Sequence, residues 1–256
     1  MVPMKIMVCV KQAGEVPSFL EFLASGVDVD PAFVSYEVNE ADTYAVEEAL
    51  RLCEENGDGE VVVVTAGAER AEEALRRCLA MGADRAVRVP VAAEEAADPI
   101  LIARRLAAVG SLEQPDLILC GVQSSDSAQQ STGPALASAL GLPAVSVATK
   151  VDLQGDGVVV RREFEGGLAE VVVVERPLVV TVQTGLNEPR YGTFKGKMKA
   201  KKATVELVED SSNTPRVKVR RMYVPTADAG RGIAIEESSP GDVAARIMEI
   251  VREARR

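Results

Sequence analysis

Four near-continuous apolar runs constrain the fold: MKIMVCV at 4–10, EVVVVTA at 60–66, AVRVP at 86–90 and DLILCG at 116–121. A strand with one wet face alternates apolar and polar residues, whereas a run that is apolar at successive positions is covered on both faces. Such strands belong to a parallel sheet between two layers of helices. Helical patterns alternate with the runs. Asn39 is placed to cap a helix that starts at Glu40, with Asp42 in its first turn. Ala45, Val46, Ala49, Leu50 and Cys53 form its apolar stripe, and Asn56-Gly57 ends it. A second helix is expected from about 68 to Met81, stopped by Gly82. A third starts at Asp98-Pro99, a cap followed by proline at the first helical position, and runs to about Val109. The order β-α-β-α-β-α-β predicts an α/β domain with a doubly wound, mostly parallel, Rossmann-like sheet.

The pattern changes after about residue 141. VSVATKVDLQ, GVVVRREFEGG, LAEVVVVERP and LVVTVQT read as strands without intervening helices, so antiparallel additions to the sheet are expected. Residues 205–238 are rich in Pro, Ser, Asp and Gly and read as an extended arm. A last helix follows Pro240-Gly241-Asp242, with Val243, Ile247, Ile250 and Val251 on one face. The expected organisation is an α/β domain over 1–204, and an arm with a C-terminal helix over 205–256. That helix needs a surface to pack on, either its own domain or a partner subunit.

Composition removes several chemistries. Among the 256 residues there is no histidine, which excludes His-based acid–base and nucleophilic machinery and every His-ligated metal site. Cys9, Cys53, Cys78 and Cys120 are widely spaced in apolar segments and read as buried free thiols of a reducing compartment. A net charge of −10 argues against nucleic acid as the main partner. No apolar run approaches the roughly 18 residues of a membrane span, and Lys5 and Lys11 interrupt the N-terminal stretch, which reads as a strand and not as a signal peptide. The expectation is a soluble, cytoplasmic chain.

No G-x-x-x-x-G-K-[ST] loop is present, and Lys11-Gln12-Ala13-Gly14 follows the first strand in place of G-x-G-x-x-G. The informative turn follows the fourth major strand: Gly121-Val122-Gln123-Ser124-Ser125-Asp126-Ser127-Ala128-Gln129-Gln130-Ser131-Thr132-Gly133-Pro134. It is dense in hydroxyls and amides and leaves the carboxyl end of a buried strand, where open α/β sheets bind ligands. Backbone N–H groups at Gly121 and 131–133, with the Ser131 and Thr132 hydroxyls, can cradle a phosphate. A solvated, capped βα loop accounts for the same residues without a ligand. Residues Asn39 to Asp42 likewise read either as a helix cap or as a nucleotide contact at the same edge.

A third segment, 186–202, holds five lysines between 195 and 202, headed by Phe194. It reads as a basic loop offering one aromatic anchor to an acidic protein surface, or as a solvated charged turn.

These segments resemble the β subunit of electron transfer flavoproteins. The resemblance rests on LNEPRY at 186–191, Thr193 and MKAKK at 198–202. Asn39 with AVEEA at 45–49, AMGADR at 80–85 and V-x-V-K at 8–11 support it in order and spacing. It extends from the first strand to about residue 206. The resemblance implies an adenine-nucleotide-binding domain in a heterodimer whose α subunit holds most of a redox-active FAD, while this subunit buries AMP and docks dehydrogenases. By position, AMP contacts fall at Cys9 (through its backbone), Asn39, Glu40, Ala41, Asp42, Val63, Ala66, and Gly121 through Thr132. Docking falls to Phe194, where the family commonly has leucine, and to Lys195, Lys197, Lys199 and Lys202; the last two match lysines methylated in some members. Glu163 matches a carboxylate that steadies the FAD domain through an arginine of the other subunit. The implied partners are the α subunit, acyl-CoA or other flavin dehydrogenases, and a quinone-side oxidoreductase, and the implied role is electron carriage.

Within the family, electron-bifurcating members hold a second FAD in this site and their turn resembles D-G-D-T-A-Q-V-G-P; AMP-binding members resemble D-D-D-x-N-Q-T-G. Here Thr132 matches the AMP class, Pro134 is shared with the bifurcating class, and Ser127 and Ala128 match neither. The expectation is AMP. The rivals are a bifurcating subunit and a flavin-free, stress-protein-like nucleotide-binding module. The basic segment and the C-terminal arm argue against the latter.

Overall fold

The computed structural model describes residues 3–15, 21–210, 214–224, 235 and 239–254. The chain separates into two compact units, Met1–Met222 and Tyr223–Arg256.

The first unit contains β1 (Met4–Cys9), β2 (Gln12–Glu15), β3 (Ser35–Val38), α1 (Glu40–Asn56), β4 (Gly59–Gly67), α2 (Glu72–Met81), β5 (Arg85–Pro90), α3 (Pro99–Glu113), β6 (Leu117–Gly121), α4 (Thr132–Leu140), β7 (Ala144–Gln154), β8 (Gly157–Glu163), β9 (Ala169–Glu175), β10 (Leu178–Val182), α5 (Phe194–Lys202) and β11 (Glu206–Leu207). Nine strands form one sheet in the order β11-β5-β4-β1-β6-β10-β7-β8-β9, with β2 and β3 as a separate antiparallel pair. All ladders from β11 to β7 are parallel, and β8 and β9 add antiparallel strands at one side. The fold is the expected mixed α/β architecture.

Burial on both sides explains the apolar runs. In β1, Met4, Ile6 and Val8 enter one core with α1 and α2, while Met7 and Cys9 enter the other with α3 and α4. β4 divides the same way, Val61 and Val63 against Val62 and Val64, and so does β6, Leu117 and Leu119 against Ile118 and Cys120. The helices end where their sequences predict: Gly57 takes a left-handed conformation with φ 80°, and Asp98 caps α3 by accepting from Ile100 N and Leu101 N. α3 continues past Val109 to Glu113.

Two local expectations are corrected. LVVTVQT does not extend the antiparallel edge; β10 returns to the middle of the sheet, parallel to both β6 and β7 and buried throughout. The basic stretch is not a loop but a helix, α5. Thr193 caps it by accepting from Gly196 N at 3.0 Å, and Ala200 is its buried contact. Lys199, Lys201 and Lys202 occupy its last turn, where positive charge suits the helix dipole.

Beyond β11, which pairs with β5, residues 214–222 run without helix or strand. The Asp98 Oδ2 atom accepts from Arg216 N at 2.7 Å and Val217 N at 3.3 Å, so the cap of α3 also fastens this segment. In the second unit, α6 (Pro240–Ala254) carries Ile247, Met248 and Val251 exposed. Of the predicted arm, residues 211–213, 225–234 and 236–238 lie outside the described residues. Among the described residues no helix is long and apolar enough to cross a membrane.

Candidate functional site

From β1 the chain winds outward through β4 to β5, and α3 then carries it back across to β6 on the other flank of β1. Crossovers in opposite directions put α1 and α2 on one face and α3 and α4 on the other. The carboxyl ends of β1 and β6 therefore splay apart into a crevice, the usual ligand position in a doubly wound sheet. A cleft of about 120 Å³ opens there.

Its floor is Cys9 at the end of β1 and Cys120 at the end of β6, which stand opposite each other in the ladder. Ala66 of β4 forms one side, and Pro99, Ile102 and Leu106 of α3 form an apolar wall. Asn39 and Asp42 enter from α1. The polar rim comes from the 121–134 turn through Gly121, Val122, Gln123, Ser124, Ser127 and Gln129 to Gly133.

Asn39 departs from its expected role. It stands at the N-cap position of α1, but its side chain makes no cap hydrogen bond. Its Nδ2 donates to Gln123 O at 2.9 Å and its Oδ1 accepts from Ser125 N at 3.2 Å, so it ties α1 to the polar turn. Asp42 does the same below it, accepting from Gly121 N and Lys11 N, both at 2.8 Å. Gly121 is required at this approach, since a Cβ there would sit 2.5 Å from Asp42 Oδ1 and 2.7 Å from Ala41 Cβ. Burial pushes the Asp42 carboxyl up to about 6, against the lowering effect of those two N–H donors, the Asn39 amide and the Lys11 charge.

The turn itself is shaped by two left-handed residues, Ala128 with φ 48° and Gln130 with φ 51°. Left-handed residues in a turn are the units from which N–H concavities for anions are made. Gln130 Nε2 donates to Gln123 Oε1 at 2.7 Å and closes the turn on itself. Burial alone would raise Asp126, but hydrogen bonds from Lys11 and Ser124 hold its carboxyl below the usual range.

Thus Cys9, Asn39, Asp42, Ala66, Gly121 to Ser124, Ser127 and Gln129 to Thr132 share one cleft. Other predicted contacts stand outside its lining. Val63 is wholly buried in the core of the α1/α2 layer. Glu40 is exposed and Ala41 is packed beneath Gly121. Ser125 serves through its backbone to Asn39, Asp126 pairs with Lys11, and Ala128 shapes the turn. Sequence reading missed Lys11 and the α3 wall. The wall's apolar periodicity resembles any buried helix face, and a lysine after a strand carries no local signal. The thiols at the floor are held protonated: burial, with Asp42 nearby, raises Cys120 to about 12 and Cys9 well above its ordinary value.

The docking candidates fall in two places. Phe194 starts α5 at 84% exposure, beside Tyr191 at 96%, and Lys195, Lys197, Lys199 and Lys202 are all exposed along the helix. The helix is seated on α2: Arg76 Nη1 donates to Ala200 O at 2.8 Å and Ala203 O at 2.9 Å. The segment before α5 is locked to α1, with Asn187 Nδ2 on Glu48 at 2.8 Å and Arg190 bonded to both Glu47 and Glu54. Glu163 lies apart from all of these, ending β8 at the other side of the sheet and paired with Arg161 at 3.3 Å.

The model of the electron transfer flavoprotein domain family matches residues 32–213. The chain is 40% identical to electron transfer flavoprotein subunit beta of Methylophilus methylotrophus, over 98% of each chain. It is 37% identical to the Bradyrhizobium diazoefficiens protein of that name, over 98% of this chain and 99% of the relative. With the Sus scrofa protein of that name it shares 34% identity, over 86% of this chain and 87% of the relative.

Proposed function

The chain belongs to the electron transfer flavoprotein family as a β subunit, and from that premise we propose that it holds AMP in the cleft between β1 and β6 and works in a heterodimer with an α subunit that carries FAD. The observation that supports the nucleotide is the convergence of the β1 and β6 ends, the α1 start and the 121–134 turn on one polar-rimmed, apolar-walled cleft. The donor set fits a mononucleotide. Pro99, Ile102 and Leu106 suit the face of a base, and the hydroxyls, amides and left-handed backbone of the turn suit a phosphate.

AMP here has a structural role. A ligand that binds only the folded chain stabilises it by mass action, and it ties together the same elements that Asn39 and Asp42 join. FAD supplies the electron-carrying chemistry when bound; the protein supplies its position and electrostatics. Glu163 is the residue of this chain that would meet an arginine of the FAD-bearing domain. α5 forms the docking surface for partner dehydrogenases, with Phe194 as apolar anchor and its lysines as steering charges for an acidic surface. The quinone-side acceptor and a cytoplasmic site of action belong to the same reading.

Purifying the chain with its flavoprotein partner, denaturing the complex and counting the released nucleotides tests this. About one FAD and one AMP per heterodimer is expected. Two FAD and no AMP would overturn the AMP reading and make the protein a bifurcating subunit with a second flavin in the cleft.

A further inference from the structure

We propose that Lys11 reads the phosphate of the nucleotide in the cleft, making the site selective for a nucleotide over its nucleoside; the inference rests on the cleft being the adenine-nucleotide site. Among the described residues that line the cleft, Lys11 is the only cation. Its position is fixed from both sides of its own backbone. Lys11 N donates to Asp42 Oδ2 at 2.8 Å, and Lys11 O accepts from Asn39 N at 2.9 Å. With the main chain pinned to the start of α1, the side chain crosses the crevice to the polar turn.

There the ammonium makes three hydrogen bonds, to Asp126 Oδ1 at 2.6 Å, Ser124 Oγ at 3.1 Å and Ser127 Oγ at 3.3 Å. The two hydroxyls are uncharged acceptors, and a phosphate oxygen displaces them readily because it adds the attraction of a full negative charge to its hydrogen bond with the ammonium. The serines keep partners after such an exchange. Ser124 Oγ bonds Asp126 Oδ1 at 2.7 Å, and the two hydroxyls bond each other at 2.8 Å. The turn therefore stays assembled while Lys11 turns part of its donor set to the ligand, and Asp126 continues to orient it. The side chain is 42% exposed, so a ligand entering the cleft can reach it.

Lys11 also offsets the charge of the site. Asp42 lines the cleft, Asp126 stands beside it, and the chain carries −10 overall. Without Lys11 a phosphate would approach two carboxylates with only uncharged donors to receive it.

The test compares wild type and Lys11→Met, each purified as the complete flavoprotein assembly, stripped of nucleotide by reversible unfolding and refilled with AMP or adenosine under equilibrium dialysis. We expect AMP to weaken roughly 10- to 100-fold in the variant, with adenosine changed less than about twofold. Lys11→Arg is expected to restore the preference for AMP. Equal losses for AMP and adenosine would make Lys11 a brace of the turn and overturn the inference, as would an unchanged ratio. Wild type that takes up neither ligand would overturn the reading of the cleft itself, and the inference with it. Should Lys11→Met fail to fold, Lys11→Gln keeps polar contacts to the turn while removing the charge, and the same ratio decides.

Discussion

Arg190 closes a two-pronged fork on Glu47 across 143 residues of sequence, with Nε and Nη2 each 2.9 Å from a carboxylate oxygen. Its remaining nitrogen and Nη2 grip Glu54 about two turns further along α1, and its backbone N–H donates to Glu47 as well. Two stretches that stand out separately in the sequence, AVEEA at 45–49 and LNEPRY at 186–191, are therefore one structural unit. Its consequence is the placement of α5, which begins four residues after Arg190.

The Glu47 carboxylate is buried, so loss of its partner leaves an uncompensated charge. Arg190→Ala is expected to destabilise the protein by about 3 kcal/mol, read from the shift of the urea midpoint at unchanged m-value. Arg190→Lys is expected to recover only part of this, because an ammonium cannot reproduce the planar fork. A shift below about 0.5 kcal/mol for the alanine variant would place the pair among inert surface bridges.

Asp42 predicts a pH dependence of unusual sign. Its carboxyl titrates near 6 in the folded chain against an ordinary value of 3.8, so the native state takes up a proton before the unfolded state does. Stability from this group therefore rises as pH falls from about 7 toward 4, levels off below both values, and is absent above 6. The gap between 3.8 and about 6 corresponds to about 3 kcal/mol. Asp98 and Glu113 act oppositely, since both are held low in the folded chain and their contributions are lost in acid: in Asp98 four backbone N–H donors outweigh burial, and in Glu113 the Arg85 and Lys5 bonds do so. Subtracting urea midpoints of Asp42→Asn from those of wild type across pH 4 to 8, in nucleotide-free protein, isolates the Asp42 slope. A flat difference would refute it.

Gly196 is a packing glycine. A Cβ at that position would lie 2.5 Å from the carbonyl oxygen of Ala80 in α2. Gly196→Ala, ordinarily helix-stabilising by about 1 kcal/mol, is expected instead to cost about 1–3 kcal/mol by lifting α5 from α2. Thermal denaturation checks the sign, and a stabilised variant would show that the contact yields.

Phe194 stands at the exposed start of α5 without a packing role, so Phe194→Ala is expected to leave stability within about 0.5 kcal/mol and flavin content unchanged. If α5 is the docking surface, reduction by the partner dehydrogenase slows, about tenfold or more for an aromatic anchor. Stopped-flow reduction at low and high salt measures both the anchor and the lysine steering; partner kinetics indifferent to the variant would remove docking from this helix.

Much of the architecture was legible in local pattern. The double-sided apolar runs determined a buried parallel sheet, because a strand covered on both faces has no position left for a polar side chain. Helix ends at Gly57, Gly82 and Asp98 followed from the few residues able to take those backbone positions. The identity of the polar turn was legible for the same reason, since its hydroxyl and amide density is local. What local pattern did not contain was long-range pairing. Leu178–Val182 is a five-residue apolar run with nothing in it to say that it lies between β6 and β7. The glycine and lysine content of 194–202 disguised a helix that forms because Gly196 lets it rest on α2. Asn39 reads as a cap and Lys11 as an ordinary surface cation; both act across more than 80 residues, on a turn that reaches them only when β1 and β6 become neighbours. The sequence by itself determined the buried strands β1, β4, β5 and β6, the helices α1 to α3 between them and which turn is polar, through unbroken apolar runs and the 3.6-residue period. The tertiary structure alone decided which side chains meet over the cleft, because that depends on the crossover that sets β6 beside β1.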